Sequence, residues 1–393
     1  MATIHERIGQ VIDANRDRFV SIARTIWENP ELGFQEYQAM RLLTEPLAES
    51  GFEVERGLAG METAFRATWT GSESGPTLAT ICEYDALNEL GHACGHNLIG
   101  AAALLAGWAL RQAWPDLPGR VQVIGGPAEE SGGGKIILVN EGLFANVDAA
   151  MMFHPSSGKT VVHRGSLACQ DVRITFHGKP SHAAAAPWKG VNALDALIQT
   201  FTAVGLLRQQ LKPDARIHGI ITNGGAAVNV IPELTECEFL VRATTAEYMG
   251  EIMTRLQECA RAGAQATGCT VEFQHGLLYE NRINNMTMAR RFQQYLEAQG
   301  IEVAEPDPNA GVGSSDIGNV SRVCPTIHPY LSISAENVAG HSQEFRAAAG
   351  SPAGFEAMLA AARAMAMLAA DLLMEPQLLA NAKGELRAAM AQQ

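Results

Sequence analysis

The chain has 393 residues, 47% hydrophobic and 18% charged, a globular composition long enough for two or three separately cored domains. Its 29 basic against 42 acidic side chains leave a formal charge of −13. That excludes partners needing a positive field, namely nucleic acid and anionic membrane surfaces. Neither of the most apolar stretches reads as a membrane span, since 98–110 is too short and 357–374 is interrupted by Arg363 and Asp371. Met1–Phe19 lacks the apolar core of a signal peptide, and seven cysteines at irregular spacing argue for reduced thiols. The expectation is a cytoplasmic protein.

In chain order, residues 4–26 read as an amphipathic helix that ends at Asn29-Pro30. Thr63–Thr70 and Thr77–Cys82 read as strands around a turn-rich Gly71–Pro76 segment. A small-residue helix over 97–114, strand Arg120–Gly125, a helix near 135–144 and strand Asp148–Phe153 follow. This alternation predicts an α/β domain, a mainly parallel sheet with helices on both faces. From about Leu167 the order becomes strand 171–177, helix 191–211, strands 217–223 and 233–242, helix 246–267 and strand 269–274. That order is ferredoxin-like α+β. The expected organisation is therefore a domain of 1–166 and 279–393, split by an inserted domain of 167–278. Two Ala- and Met-rich packing helices, 351–374 and 376–391, close the chain.

The densest polar cluster is Gly91-His-Ala-Cys-Gly-His-Asn97. In an extended segment Cys94 and His96 point to one side, half of a transition-metal site. A pair of simply buried residues, or a structural zinc knuckle, is the competing explanation. Glu129-Glu130 by itself reads as an acidic pair opening a helix. It falls, however, at the carboxyl end of a strand, as do Asp85 and His154, and open α/β sheets build their sites there. Packing does not require Asp, Cys/His, Glu/Glu and His at one sheet edge; a metal site does.

Six segments occur in order: Cys82-Glu-Tyr-Asp-Ala-Leu87, Gly91–Asn97, Gly126-Pro-Ala-Glu-Glu130, Gly178-Lys-Pro-Ser-His-Ala183, Gly224-Gly-Ala-Ala-Val-Asn-Val-Ile-Pro232 and Gly340-His-Ser342. Together they resemble metallopeptidase family 20, subfamily D. This branch holds auxin-conjugate hydrolases, aminoacylases and p-aminobenzoyl-glutamate hydrolases. Asn97, where the auxin-conjugate hydrolases carry Asp, leans toward the p-aminobenzoyl-glutamate hydrolase and β-alanyl-dipeptidase side.

The resemblance implies a fold like the zinc peptidases and two divalent metal ions per subunit, zinc or manganese. Cys94, His96, Glu130, His154 and His341 match the ligands, Glu129 the general base, and Asp85 a carboxylate that orients a ligand. Elsewhere in the family an Asp bridges the metals. The inserted domain is implied to form a homodimer, with His218 and Asn229 holding the oxyanion, His218 in the neighbouring subunit's site. Arg242 would grip a substrate carboxylate. The 311–318 loop, with Ser314, Ser315 and Asp316, reads as a cover over the substrate cleft or as a plain turn. His182 reads as cleft-lining or structural, and His92 as supporting rather than ligating.

The implied activity is hydrolysis of a small N-acyl or aryl amino-acid conjugate, or of a dipeptide, by metal-activated water. Two alternatives use the same features. One is hydrolytic deamination of an aminoaromatic compound; the other is a non-catalytic dimeric binding protein.

Overall fold

The computed structural model describes residues 2–307 and 312–392. The chain divides into two compact units, 1–165 with 282–393, and 166–281. The sequence reading placed these edges at 167 and 278.

In the first unit, Ile4–Glu28 starts with a reciprocal cap: Thr3 Oγ1 accepts from the Glu6 N–H, and Glu6 accepts from the Thr3 N–H. The strands are β1 (Glu53–Arg56), β2 (Phe65–Thr70), β3 (Glu73–Cys82), β4 (Pro118–Gly125), β5 (Ala149–Met151) and β6 (His154–Ser156). Two short strands, Thr326–Ile327 and Tyr330–Ser332, come late in the chain. The six-stranded sheet runs β1-β2-β4-β3-β5 and then Thr326–Ile327. It is mixed: β4-β3, β3-β5 and the last pair are parallel, whereas β1-β2 and β2-β4 are antiparallel. At the antiparallel margin, β1, Glu-Val-Glu-Arg, is a short charged edge strand that the sequence reading did not include, and β2, which it did include, runs against β4. The turn-rich 71–76 segment is also not simply a turn. β3 already begins at Glu73 and absorbs Gly75-Pro76 in a bulge before Thr77.

Helix Pro352–Met374 is long and apolar enough to cross a membrane by length and composition, but 83% of its most apolar window is buried. It packs on helices His96–Ala113 and Ile4–Glu28, whose Leu104, Leu105, Phe19 and Ile22 join Met358 and Met365 in one core. Its hydropathy is that of a largely covered core helix, and its Glu356, Arg363 and Asp371 each find an oppositely charged partner.

The second unit contains β7 (Ala168–His177), β8 (Arg216–Asn223), β9 (Leu234–Ala243) and β10 (Thr270–His275), with helices Ala193–Leu207 and Ala246–Thr267. The sheet order β10-β7-β9-β8 is antiparallel throughout, the ferredoxin-like arrangement. Val172, Ile174, Phe176, Phe239 and Val241 meet Leu197, Val204, Ile252 and Leu256 in a separate core.

Candidate metal centre

Three parallel strands end at the centre. β3 delivers Glu83 and Asp85, β4 delivers the 126–130 loop, and β5 is followed by His154 at the start of β6. Between the first two, Gly95 opens helix His96–Ala113 with φ +83°, and a Cβ there would lie 2.5 Å from Pro155. Only glycine combines that backbone conformation with that approach, so the glycine between Cys94 and His96 is a geometric requirement.

Ligand atoms of Cys94, His96 and His154 lie within 4.8 Å of one another, as do those of Cys94, Glu130 and His341, and those of His96, Glu129 and Glu130. The histidines are held by their other nitrogens. His96 Nδ1 lies 2.9 Å from Asp85 Oδ1 and 3.0 Å from its carbonyl, and His154 Nδ1 lies 2.7 Å from the Pro155 carbonyl. These contacts fix each ring and turn its Nε2 toward the cluster, where it ligates once it carries no proton. His96 Nε2 is buried without a hydrogen-bond partner, and His154 Nε2 lies 3.4 Å from Cys94 Sγ. Asp85 Oδ2 accepts the Glu130 N–H at 3.0 Å, so one carboxylate braces two candidate ligands. His341 is exposed and adopts φ +58°, a conformation a non-glycine residue holds only when its surroundings over-determine it. A cysteine sulfur, imidazoles and carboxylates converging in this way fit a divalent transition metal.

Electrostatics separates the adjacent glutamates. Burial, then the Glu83 and Asp316 carboxylates, pushes Glu129 well above the usual carboxylate range. Burial also raises Glu130, but the His341 imidazole, 3.3 Å from its Oε1, and the charge of His96 outweigh it and hold Glu130 below that range. Such a separation is what a proton carrier beside a standing anion requires. Burial pushes the Cys94 thiol up and takes His154 down to about 4. His96 is held well above its ordinary value, burial being overcome by Cys94 and Asp85.

The remaining candidates are not among these ligand groups. His218, on β8, and Asn229 are exposed, and Arg242, on β9, is half-buried; all three belong to the second unit. Arg216 pairs with Arg242 in strand register, and His218 with Leu240. Ser314 precedes helix Ile317–Val323 and is half-buried, whereas Gly311, at the start of the expected loop, lies outside the described residues. His182 Nδ1 accepts the N–H groups of Ala184 and Ala185, which makes it a turn former. His92 is buried, taken down to about 3 by burial, and outside the ligand groups.

Sequence reasoning passed over His328 and Lys135. The His328 ring stands 5.4 Å from the His154 ring, and its Nδ1 meets Arg282. Lys135 is fully buried between Glu83 and Asp316. For Lys135 a signal existed: a lysine inside Ile-Ile-Leu-Val packing needs a buried counter-charge.

The peptidase dimerisation domain family matches residues 163–267. The chain is 41% identical to the Xaa-Arg dipeptidase of Mus musculus, over 98% of this chain and 92% of that one. It is 33% identical to a p-aminobenzoyl-glutamate hydrolase chain of Escherichia coli, over 76% of this chain and 66% of that one. Among solved structures, a dinuclear metal-binding peptidase from Bacillus subtilis superposes with TM-score 0.69 at 21% identity, covering 92% of this chain and 99% of that one. Fold, ligand cluster and relatives define a metal-dependent hydrolase of C–N bonds that acts on small conjugates and requires divalent metal. The chain belongs to metallopeptidase family 20.

Proposed function

We propose that this enzyme is a dipeptidase-type amidohydrolase, a homodimer with two zinc or manganese ions per subunit held by Cys94, His96, Glu130, His154 and His341. The observation that carries this reading is the pair of ligand triads, Cys94/His96/His154 and Cys94/Glu130/His341, which share one thiol. Cys94, His96 and Glu130 each belong to more than one of the ligand groups, as residues around a pair of ions would. When bound, two such ions supply the Lewis acidity that activates water and polarises a carbonyl. Glu129 takes the proton of the attacking water and passes it to the leaving amine. Asp85 keeps His96 in its ligating tautomer. His218 and Asn229 hold the charge that develops on the carbonyl oxygen, and Arg242, with Ser314, takes the substrate's carboxylate. The likeness to the Xaa-Arg dipeptidase over nearly the whole chain favours dipeptides above aryl or acyl conjugates. The seven free thiols support a reducing, cytoplasmic setting.

The test is release of amine from a panel of dipeptides, N-acyl amino acids, p-aminobenzoyl-glutamate and aminoaromatics. The highest kcat/KM is expected on dipeptides with carboxy-terminal Arg. Ammonia released from aminoaromatics, with no amide cleaved, would instead establish the deaminase reading.

The homodimer has support within the second unit. β8 is an edge strand exposing Ile220 and Ile221, and helix Ala193–Leu207 exposes Ile198 and Leu206 at 50% and 70%. An edge of this kind is a template for a second copy. If His218 serves the partner's centre, His218→Ala and Glu129→Gln homodimers are each nearly inactive. Reassociating the two variants should recover up to about a quarter of wild-type activity, because half of the randomly paired dimers are mixed and each has one intact site. A tagged pull-down first establishes that mixed dimers form. Mixed dimers no more active than their parents would show that His218 does not act in trans.

A further inference from the structure

We propose that Lys135 is a positioning residue for Glu129, acting through its buried charge; the proposal rests on the hydrolytic reading above. Lys135 has no solvent exposure. Its Nζ lies 2.6 Å from Glu83 Oε1 and 2.7 Å from Asp316 Oδ1, and its backbone N–H donates to Asp316 Oδ2 at 3.0 Å. Carboxylate oxygens of Glu83, Glu129 and Asp316 converge within 4.8 Å.

Three acids gathered in a low-dielectric interior repel one another strongly, and the ammonium stands where a cation is needed to hold them together. Stability alone does not account for the arrangement, because apolar residues of similar volume usually serve a core as well as a buried ion pair does. The chain also makes room for it. A Cβ on Gly126 would lie 2.6 Å from Lys135 Cγ, so the first glycine of Gly126-Pro-Ala-Glu-Glu130 is the gap beside the lysine stem. Between Glu129 and Lys135 the chain reads Glu-Ser-Gly-Gly-Gly, and glycines of this number bring little stiffness of their own. Glu129 stands on one side of this loop, and on the other Lys135 is fixed by Asp316 through both backbone and side chain.

The experiment compares Lys135→Met, Asp316→Asn and the double variant with wild type in kcat, KM and bound metal. Lys135→Met keeps the bulk and removes the charge; kcat should fall at least tenfold, on the order of a positioned acid–base group's contribution, with KM and metal content held. The double variant restores the wild-type net charge of the cluster and should recover much of that loss, which a purely steric role would not produce. If Lys135→Met does not fold, Lys135→Gln takes its place, with the same expected loss in kcat and the same recovery on adding Asp316→Asn. Wild-type kcat in the folded charge-free variant, or no recovery in the double variant, overturns the proposal. A crystal structure of the charge-free variant gives a readout apart from activity: Glu129 should turn out of the cluster, and an unmoved Glu129 overturns the role. A wild-type enzyme with no metal-dependent hydrolysis would overturn the hydrolytic reading instead.

Discussion

Exhaustive chelation is expected to abolish amide hydrolysis and leave the chain folded. The candidate ligands sit at strand ends and in loops, at the margin of a core already complete in β3, β4, helix His96–Ala113 and helix Pro352–Met374. Their removal from metal exposes no apolar face. The metal-free protein should therefore keep its far-ultraviolet circular dichroism and a cooperative melt, displaced downward only by the binding free energy it forgoes. Activity should return on adding Zn²⁺ or Mn²⁺. Full turnover by a preparation shown to be metal-free by elemental analysis would end the metal reading.

Legibility followed the range of the forces involved. Helix Ala246–Thr267 could be read to the residue because its signals are local: Thr245 accepts the Tyr248 N–H, and Gly268 closes the helix at φ +77°. The strand-end acids were legible because each follows an apolar run, and the sheet topology carries them to one edge. Helix Tyr37–Glu49 was missed because Pro46 lies within it, held there by packing that overrides the local break. The turn at 71–76 was misjudged for the opposite reason, since Gly and Pro were allowed to outweigh pairing with Pro118 on β4. For Lys135 the apolar run around it called for a buried counter-charge without naming one, because Asp316 is 181 residues away; His328 gave no signal, its partner Arg282 being 46 residues away. No periodicity or spacing reports such contacts.

Replacing the two adjacent glutamates separately should divide their roles. Glu129→Gln is expected to bind metal and substrate and to lose roughly 10²–10⁴-fold or more in kcat, the scale of a positioned acid–base group. Glu130→Gln should instead lower the metal content, with activity following the metal. The basis is the contrast in their surroundings. Glu129 is pushed up by burial and by two neighbouring carboxylates, as suits a group that must accept and return a proton. Glu130 is held anionic by His341, 3.3 Å from its Oε1, and its backbone is tied to the same Asp85 that fixes His96. An amide at position 129 keeps the shape and loses only the capacity to ionise. At position 130 it replaces an anionic donor in a triad with Cys94 and His341 by a neutral and much weaker one. Elemental analysis of both variants, beside kcat and KM, checks the division. Equal metal loss in the two would mean that Glu129 is itself a ligand, and the proton would then have to be carried by another buried group of the cluster.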